Sequence, residues 1–415
     1  MTLFLKSNQM TQKKVIVFDP VCGLAIGHNL PTISKYIGWI VGQFDFSCEA
    51  WIATDKTSGY EHLKFKKMAW VYSHWLSDNL QDEMKNRRRP IRNESVFDIT
   101  QNLIHHIKAA NSVETSLSQA LAEKPSYVFF PGADFYSLLS IFNLAKNRAI
   151  PKETILVIRL MGVMEWATKL PRAKEIVNKL LFQINKLLGD QARFTAETEK
   201  YAFELSCTIS APVSVTSIPS TEIYKDTAGS STDDEINIAC LGGARADKGY
   251  FDILELSRET NRIFSPISKR KIRFTVQSMS TFNTDYNSTY QQDLARSSVV
   301  KIVKSRLSDT ELADEIQAAT VILLPYSQGT YASRGSAILF DTLPYGKPIL
   351  GVNNTGFGDT ILTAGLGLTY SGTADYINKL SEVINFSTDT KIKIIRNHNK
   401  YSSDMLNNLR NCFVE

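Results

Sequence analysis

No run of apolar residues in this 415-residue sequence approaches the roughly 18 that a membrane-spanning helix needs. The opening stretch, MTLFLKSNQMTQKK, has too short an apolar segment for a secretory signal and turns polar at once. A cytoplasmic protein is the expectation. Cysteine is sparse: Cys22, Cys48, Cys207, Cys240 and Cys412 are scattered and never form a C-x-x-C pair. That spacing argues against a disulfide framework or a zinc site and fits a reducing compartment. Cys240, inside the apolar run 238–241, reads as a small core residue. His105 and His106 have no spaced partner, so no metal site is expected. There is neither a Walker A loop nor a G-x-G-x-x-G turn, which weakens the ATPase and dehydrogenase classes.

What is present is globular in composition, with 43% hydrophobic and 21% charged residues. The length suits two α/β domains of about 200 residues each. The net charge is +5, with basic clusters at Lys85-Asn86-Arg87-Arg88-Arg89 and Lys269-Arg270-Lys271. Such clusters attract anionic membrane surfaces or phosphorylated substrates, or are simply solvated faces. No nucleic-acid motif accompanies them, and nucleic acid is not expected as a partner.

Short apolar or β-branched runs alternate with longer helical patterns, the signature of βαβ units and doubly wound parallel sheets. In the first half, strands are expected near Lys14–Asp19, Glu49–Thr54, Tyr127–Pro131, Ile155–Leu160 and Arg193–Thr195. Helical patterns cover Asn29–Gln43, Ser95–Glu123, Ala133–Asn147 and the amphipathic Lys174–Gly189. A small, polar stretch over 227–234 follows the strand-like Val213–Pro219 and reads as a connection. A second unit then begins at Ile236, with strands near 237–241, 271–277, 299–304, 321–325, 348–352 and 366–370. The division expected is 1–219 and 220–415, with the last helix, about 391–415, packing back on the first domain. Two such domains form a cleft between their C-terminal strand edges, where ligands bind.

Two segments of the second unit carry chemistry. In the first, a strand leads into Gly242-Gly243-Ala244-Arg245-Ala246-Asp247-Lys248-Gly249 and then a helix expected over 250–261. Glycines admit close backbone approach, a helix start favours an anion, and Arg245 and Lys248 add fixed positive charge. In the second, a strand at 321–325 is followed by a polar loop to Ser333-Arg334-Gly335-Ser336 and a helix expected over 337–345. The serines cap that helix or hand its amides to phosphate. Asp341, on a largely apolar helix, needs a partner for its charge.

Together these segments resemble the nucleotide-sugar-binding half of the family-4, or group 1, GT-B glycosyltransferases. The family carries a Gly-Arg…Lys-Gly loop, later a Glu and a second Glu eight positions on, and then Gly-x-Pro. Lys248-Gly249 and Gly346-Lys347-Pro348 match the ends of this pattern, and Asp341 falls where the second Glu holds the donor ribose. The resemblance covers 236 to about 370 and implies a GT-B fold of two Rossmann-like domains. It implies a glycosyltransferase that moves a sugar from a nucleotide-sugar donor to a saccharide or lipid-linked acceptor in polysaccharide or glycoconjugate synthesis. The donor is a co-substrate, no cofactor is expected, and peripheral contact with the inner membrane face fits such an acceptor. The implied donor-binding set is Gly243, Arg245, Lys248, Ser333, Arg334, Gly335, Ser336 and Asp341.

The sequence also departs from the family. Ser333 replaces the first Glu, Arg245 stands two positions after the usual arginine, and the family's mid-domain His is absent from 130–134. Retention or inversion of the sugar's configuration therefore stays open. So do two other readings, a GT-B sugar-nucleotide epimerase and a catalytically inactive GT-B binding protein. In the first half, Gly23, Gly27, His28 and Asn29 lie between first strand and first helix. His28 is a candidate base or sugar ligand, and Asp134 is a candidate base or a helix cap. Arg159 and Glu165 are weaker candidates. The sequence has no Asp-x-Asp metal clamp, so helix starts, Arg and Lys must neutralise a leaving diphosphate without metal.

Overall fold

The computed structural model describes residues 12–22, 29–53, 59–68, 96–161, 173–219, 234–266, 268–281 and 286–414. Its first sheet is parallel throughout, with β1 (Lys14–Asp19), β2 (Ser47–Ile52), β3 (Phe65–Lys67), β4 (Tyr127–Phe130), β5 (Ile155–Leu160), β6 (Ala192–Ala196) and β7 (Val213–Val215) in the order β3-β2-β1-β4-β5-β6-β7. The helices that accompany it are α1 (Asn29–Phe44), α2 (Val96–Ala122), α3 (Phe135–Lys146), α4 (Ala173–Leu188) and α5 (Glu199–Ile209). β1 shows why the chain folds this way. Val15, Ile16, Val17 and Phe18 are all fully buried, Ile16 and Phe18 in one core and Val15 and Val17 in another. A strand covered on both faces has to be apolar at every position, which is what a doubly wound sheet requires.

The second sheet repeats the plan. It contains β8 (Glu235–Cys240), β9 (Lys271–Gln277), β10 (Val300–Val303), β11 (Val321–Leu324), β12 (Ile349–Val352) and β13 (Gly367–Tyr370), in the order β10-β9-β8-β11-β12-β13. Its helices are α6 (Ile253–Phe264), α7 (Ser288–Arg296), α8 (Asp309–Ala318), α9 (Gln328–Tyr331), α10 (Ala337–Thr342), α11 (Gly356–Thr363), α12 (Thr373–Ile384) and α13 (Thr388–Asn411). Cys240 is buried on one face of this sheet, among Ile236, Ile238 and Phe274, as a small core side chain. The two parallel sheets with their helices form the expected α/β architecture of two Rossmann-like units.

α13 ends against the first sheet. Leu409, Cys412 and Phe413 share a core with Tyr36, Tyr127 and Phe129, and the Tyr127 hydroxyl donates to the Phe413 carbonyl at 2.8 Å. Arg193 donates to the Cys412 carbonyl at 2.9 Å, and Asn408 Nδ2 to that of Val215 at 2.9 Å. The basic cluster at 85–89 lies outside the described residues. At the other, Arg270 donates to the Glu235 carbonyl at 2.9 Å and Lys271 opens β9, so this cluster builds a turn of the scaffold.

Candidate active site

Both sheets place their strand order reversal at the centre, at β1/β4 and β8/β11, and the C-terminal ends of those strands open a crevice. In the second sheet the crevice is floored by the loop after β8. Gly249 has φ 65° and Gly242 φ 85°, backbone that favours glycine. A Cβ on Gly249 would stand 1.9 Å from the Pro325 carbonyl oxygen, and one on Gly242 would stand 2.5 Å from Ile338. Only bare backbone lets this loop lie on the ends of β11 and α10. Gly243 borders open space. The helix expected from 250 begins later: two 3₁₀ turns, Ala246–Lys248 and Tyr250–Asp252, precede α6 at Ile253. The loop therefore offers side-chain charge at Lys248 and no α-helix start.

Two tyrosines, which the sequence did not mark, organise that charge. Tyr326 follows β11 and Tyr331 closes α9; both are buried, with ring centroids 4.7 Å apart. Lys248 Nζ lies 5.5 Å from the Tyr326 ring and the Arg334 guanidinium 5.2 Å from that of Tyr331. Arg245 donates to the Tyr331 hydroxyl at 3.1 Å. Burial opposes the charge of Arg245, and its two bonds to Asp247, at 2.8 and 2.7 Å, more than restore it. Lys248 has no such partner. Desolvation, helped by the charge of Arg245, pulls its pKa down to about 8, against the opposing pull of Asp247 and Asp341. Burial likewise lowers the pKa of Arg334. Ammonium and guanidinium groups stripped of water beside aromatic faces are ready to gain from an incoming anion.

The remaining candidates divide between this crevice and the seam between domains. Ser336 caps α10, its Oγ accepting from Leu339 N at 3.4 Å. Ser333 does not cap: its Oγ donates to Glu204 at 2.7 Å while its carbonyl accepts from Thr198 Oγ1 at 2.7 Å. Gly335 N donates to Glu197 at 3.2 Å, and Glu197 is in turn held by the fully buried Arg159 at 3.3 Å. The loop 333–335 is thus fastened to the first domain by residues at the end of β6 and in α5. Asp341 faces the same seam and pairs with Lys35 of α1 at 3.4 Å. In the first domain Asp134 caps α3, Oδ1 accepting from Ser137 N at 2.8 Å and Ser137 Oγ at 2.6 Å. His28, Gly23, Gly27 and Glu165 lie outside the described residues. Sequence reasoning missed Tyr326, Tyr331, Glu197 and Asp19; only placement at a strand end could have drawn notice to Tyr326, Glu197 and Asp19, and Tyr331, at the end of α9, offers no such signal. Among the described residues no three His, Cys, Asp or Glu side chains form a metal-holding group, and no helix is long and apolar enough to cross a membrane.

No family model matches the chain, and no curated protein matches it in sequence. Solved structures do match it over nearly their whole length. The N-terminal domain of Candida albicans trehalose-6-phosphate phosphatase aligns at 12% identity and TM-score 0.63, covering 95% of this chain and 93% of that one. The α,α-trehalose 6-phosphate synthase of Burkholderia multivorans aligns at 9% identity and TM-score 0.61, covering 97% and 93%. Anabaena HepE, solved in complex with UDP, aligns at 11% identity and TM-score 0.59, covering 94% and 95%. With two parallel sheets of seven and six strands matched end to end by these structures, the chain shares their two-domain, Rossmann-like GT-B fold.

Proposed function

We propose that this chain is a glycosyltransferase that carries a sugar from a nucleotide-diphosphate sugar to a saccharide or lipid-linked acceptor. The observation that carries the reading is the cationic crevice at β8/β11, where Lys248, Arg245 and Arg334 gather on two buried tyrosines. Leaving-group departure puts negative charge on the diphosphate, and preorganised cations in a partly dry site stabilise that charge most in the transition state. Lys248 is the principal group, because it stands in the glycine loop itself and burial has pulled its ammonium down to a pKa of about 8, so an incoming anion restores its charge. Asp341 supplies a carboxylate for donor hydroxyls once Lys35 releases it. UDP bound to HepE, and UDP-2-fluoroglucose bound to an Escherichia coli relative of TM-score 0.61, support a uridine or similar nucleotide as the donor's handle.

In this reading the nucleotide sugar is the only small-molecule partner besides the acceptor, with no prosthetic group and no metal needed. A lipid-linked acceptor brings the protein to the inner membrane face as a peripheral visitor. The test is a thermal-shift screen with UDP-, GDP- and other nucleotide sugars with and without EDTA, followed by an assay of nucleotide diphosphate release. Stabilisation that persists in EDTA, with release that needs an acceptor, is the expected result. Release or isomerisation of the donor without acceptor would favour the epimerase. A strict requirement for magnesium or manganese would remove the metal-independent site.

A further inference from the structure

A cavity of about 350 Å³ opens at the seam between the domains and shares none of the residues proposed to hold the donor. That volume is within the range of small-molecule sites. One wall is α1, which presents Trp39 and Gln43; the other is α13, which presents Asn399, Ser403, Asn407 and Arg410. Leu343 and Pro344, just past α10, add an apolar edge. Lys35, Trp39 and Gln43 are spaced by four on α1, so the cavity begins about 6 Å along the helix from the Lys35–Asp341 pair.

The α13 wall is not what a helix needs for its own sake. Asn399, Ser403, Asn407 and Arg410 recur every three or four residues and so share one face. Asn and Ser are poor helix formers, and Ala, Lys or Glu would hold an exposed face better. Elsewhere on α13 asparagine serves as scaffold: Asn397 Nδ2 donates to the Gly365 carbonyl and Asn408 Nδ2 to that of Val215, both at 2.9 Å. Asn399, Ser403 and Asn407 spend their side chains on no such bond among the described residues, nor does Gln43 on the facing wall. Trp39 is half-buried and held edge-on to Phe44, with ring centroids 5.8 Å apart. Arg410, in the last turn of α13, favours the helix end and has no acid partner among the described residues.

One aromatic ring, three amides, a hydroxyl and a guanidinium around a single cavity suit a sugar. A pyranose has an apolar C–H face to lie on Trp39, and hydroxyls that both donate and accept, as amides and the Ser403 hydroxyl do. The Arg410 fork reaches a carboxylate or two neighbouring ring oxygens. A lone cation is too little for a polyphosphate, and Leu343 with Pro344 is too little for an acyl chain. We propose that this groove is a saccharide-binding site, separate from the donor crevice, in which Trp39 carries a sugar ring and α13 reads its hydroxyls. The assignment holds whatever reaction the crevice performs, so it and the glycosyltransferase reading fail by different measurements.

The test is NMR of the full chain titrated with maltotriose, cellotriose and trigalacturonate. At least one should bind saturably, with Kd in the millimolar range or tighter. Binding should move the Trp39 indole signal, identified by its loss in Trp39→Phe. Ser403→Tyr fills the groove from an exposed helix position and should abolish binding with little change in melting temperature. Asn407→Ala, also at an exposed position, should weaken binding about three- to tenfold, as the loss of one hydrogen bond does. Lys248→Ala, which alters the donor crevice, should bind the saccharide as the wild type does. Binding that disappears in Lys248→Ala, that leaves the indole unmoved, or that is undiminished in Ser403→Tyr or Asn407→Ala overturns the groove. So does the absence of saturable binding by all three probes.

Discussion

The two sheets share one topology and carry opposite charge at the same place. At β8/β11 the strand ends present Lys248, Arg245 and Arg334 over tyrosine rings; at β1/β4 they present Asp19 and Asp134. Strand order decides where a ligand can sit, because it decides where loops diverge. The side chains at those ends decide what the ligand is. One set of strand ends gathers cations and the other gathers buried acids, so the same topology carries two different chemistries.

The comparison can be broken most forcefully at Lys248. Lys248→Ala should lower kcat by about 100-fold, as losing one oxyanion donor does, with little change in melting temperature. Lys248→Arg should rescue only part, since a planar fork does not replace a compact ammonium in a fixed loop. Near-wild-type turnover of the alanine variant in steady-state kinetics would remove the cationic crevice from the mechanism. Arg245→Ala should cost less, about tenfold or 1.4 kcal/mol in the barrier, because Asp247 already shares its charge through two hydrogen bonds.

Asp341 tests whether the second crevice also holds the donor's neutral part. Asp341→Ala should weaken donor affinity several-fold more than Asp341→Asn, as read by calorimetry. Equal binding with earlier melting in both would leave the carboxylate a structural partner of Lys35 and no ligand of the donor.

Proton bookkeeping sharpens the comparison further. The pKa of Lys248 is about 8 in the free protein, so above that pH the crevice loses its ammonium and UDP should bind more weakly. A bound diphosphate raises that pKa, so at pH 8 binding should take up part of a proton. Calorimetry in buffers of different ionisation enthalpy would register the uptake. The smallest effect concerns the acidic crevice as scaffold: Asp134→Ala removes the cap of α3 and should cost about 1 kcal/mol in denaturant unfolding.

Much of the fold was legible because the strands are short runs dominated by apolar and β-branched residues. Lys14–Asp19, Ile155–Leu160 and Lys271–Gln277 fall where the pattern put them. The short β3 was not legible: Phe65-Lys66-Lys67 alternates too briefly to show a period and is held at the sheet edge by pairing with β2. At the site, Lys248 and Arg245 could be picked out because charge beside glycine is unusual after a strand. Tyr326 and Tyr331 look like ordinary core aromatics in sequence, and their role appears only when folding stacks cations on them. Ser333 was expected to help the helix at 337, yet its partner is Glu204, 129 residues away, a pairing no local pattern encodes.

The return of α13 to the first sheet has a consequence for the order of assembly. A ribosome releases residues 14–215 long before residues 409–413, so the first domain's core must wait for its last members. Until Phe413 arrives, the ring faces of Phe44, Tyr127 and Phe129 lack the partner they have in the finished protein. The second domain meanwhile folds between a nearly complete first domain and the segment that closes it. The early domain is therefore finished only when the late one is in place, which couples the quality of both halves before any substrate is met.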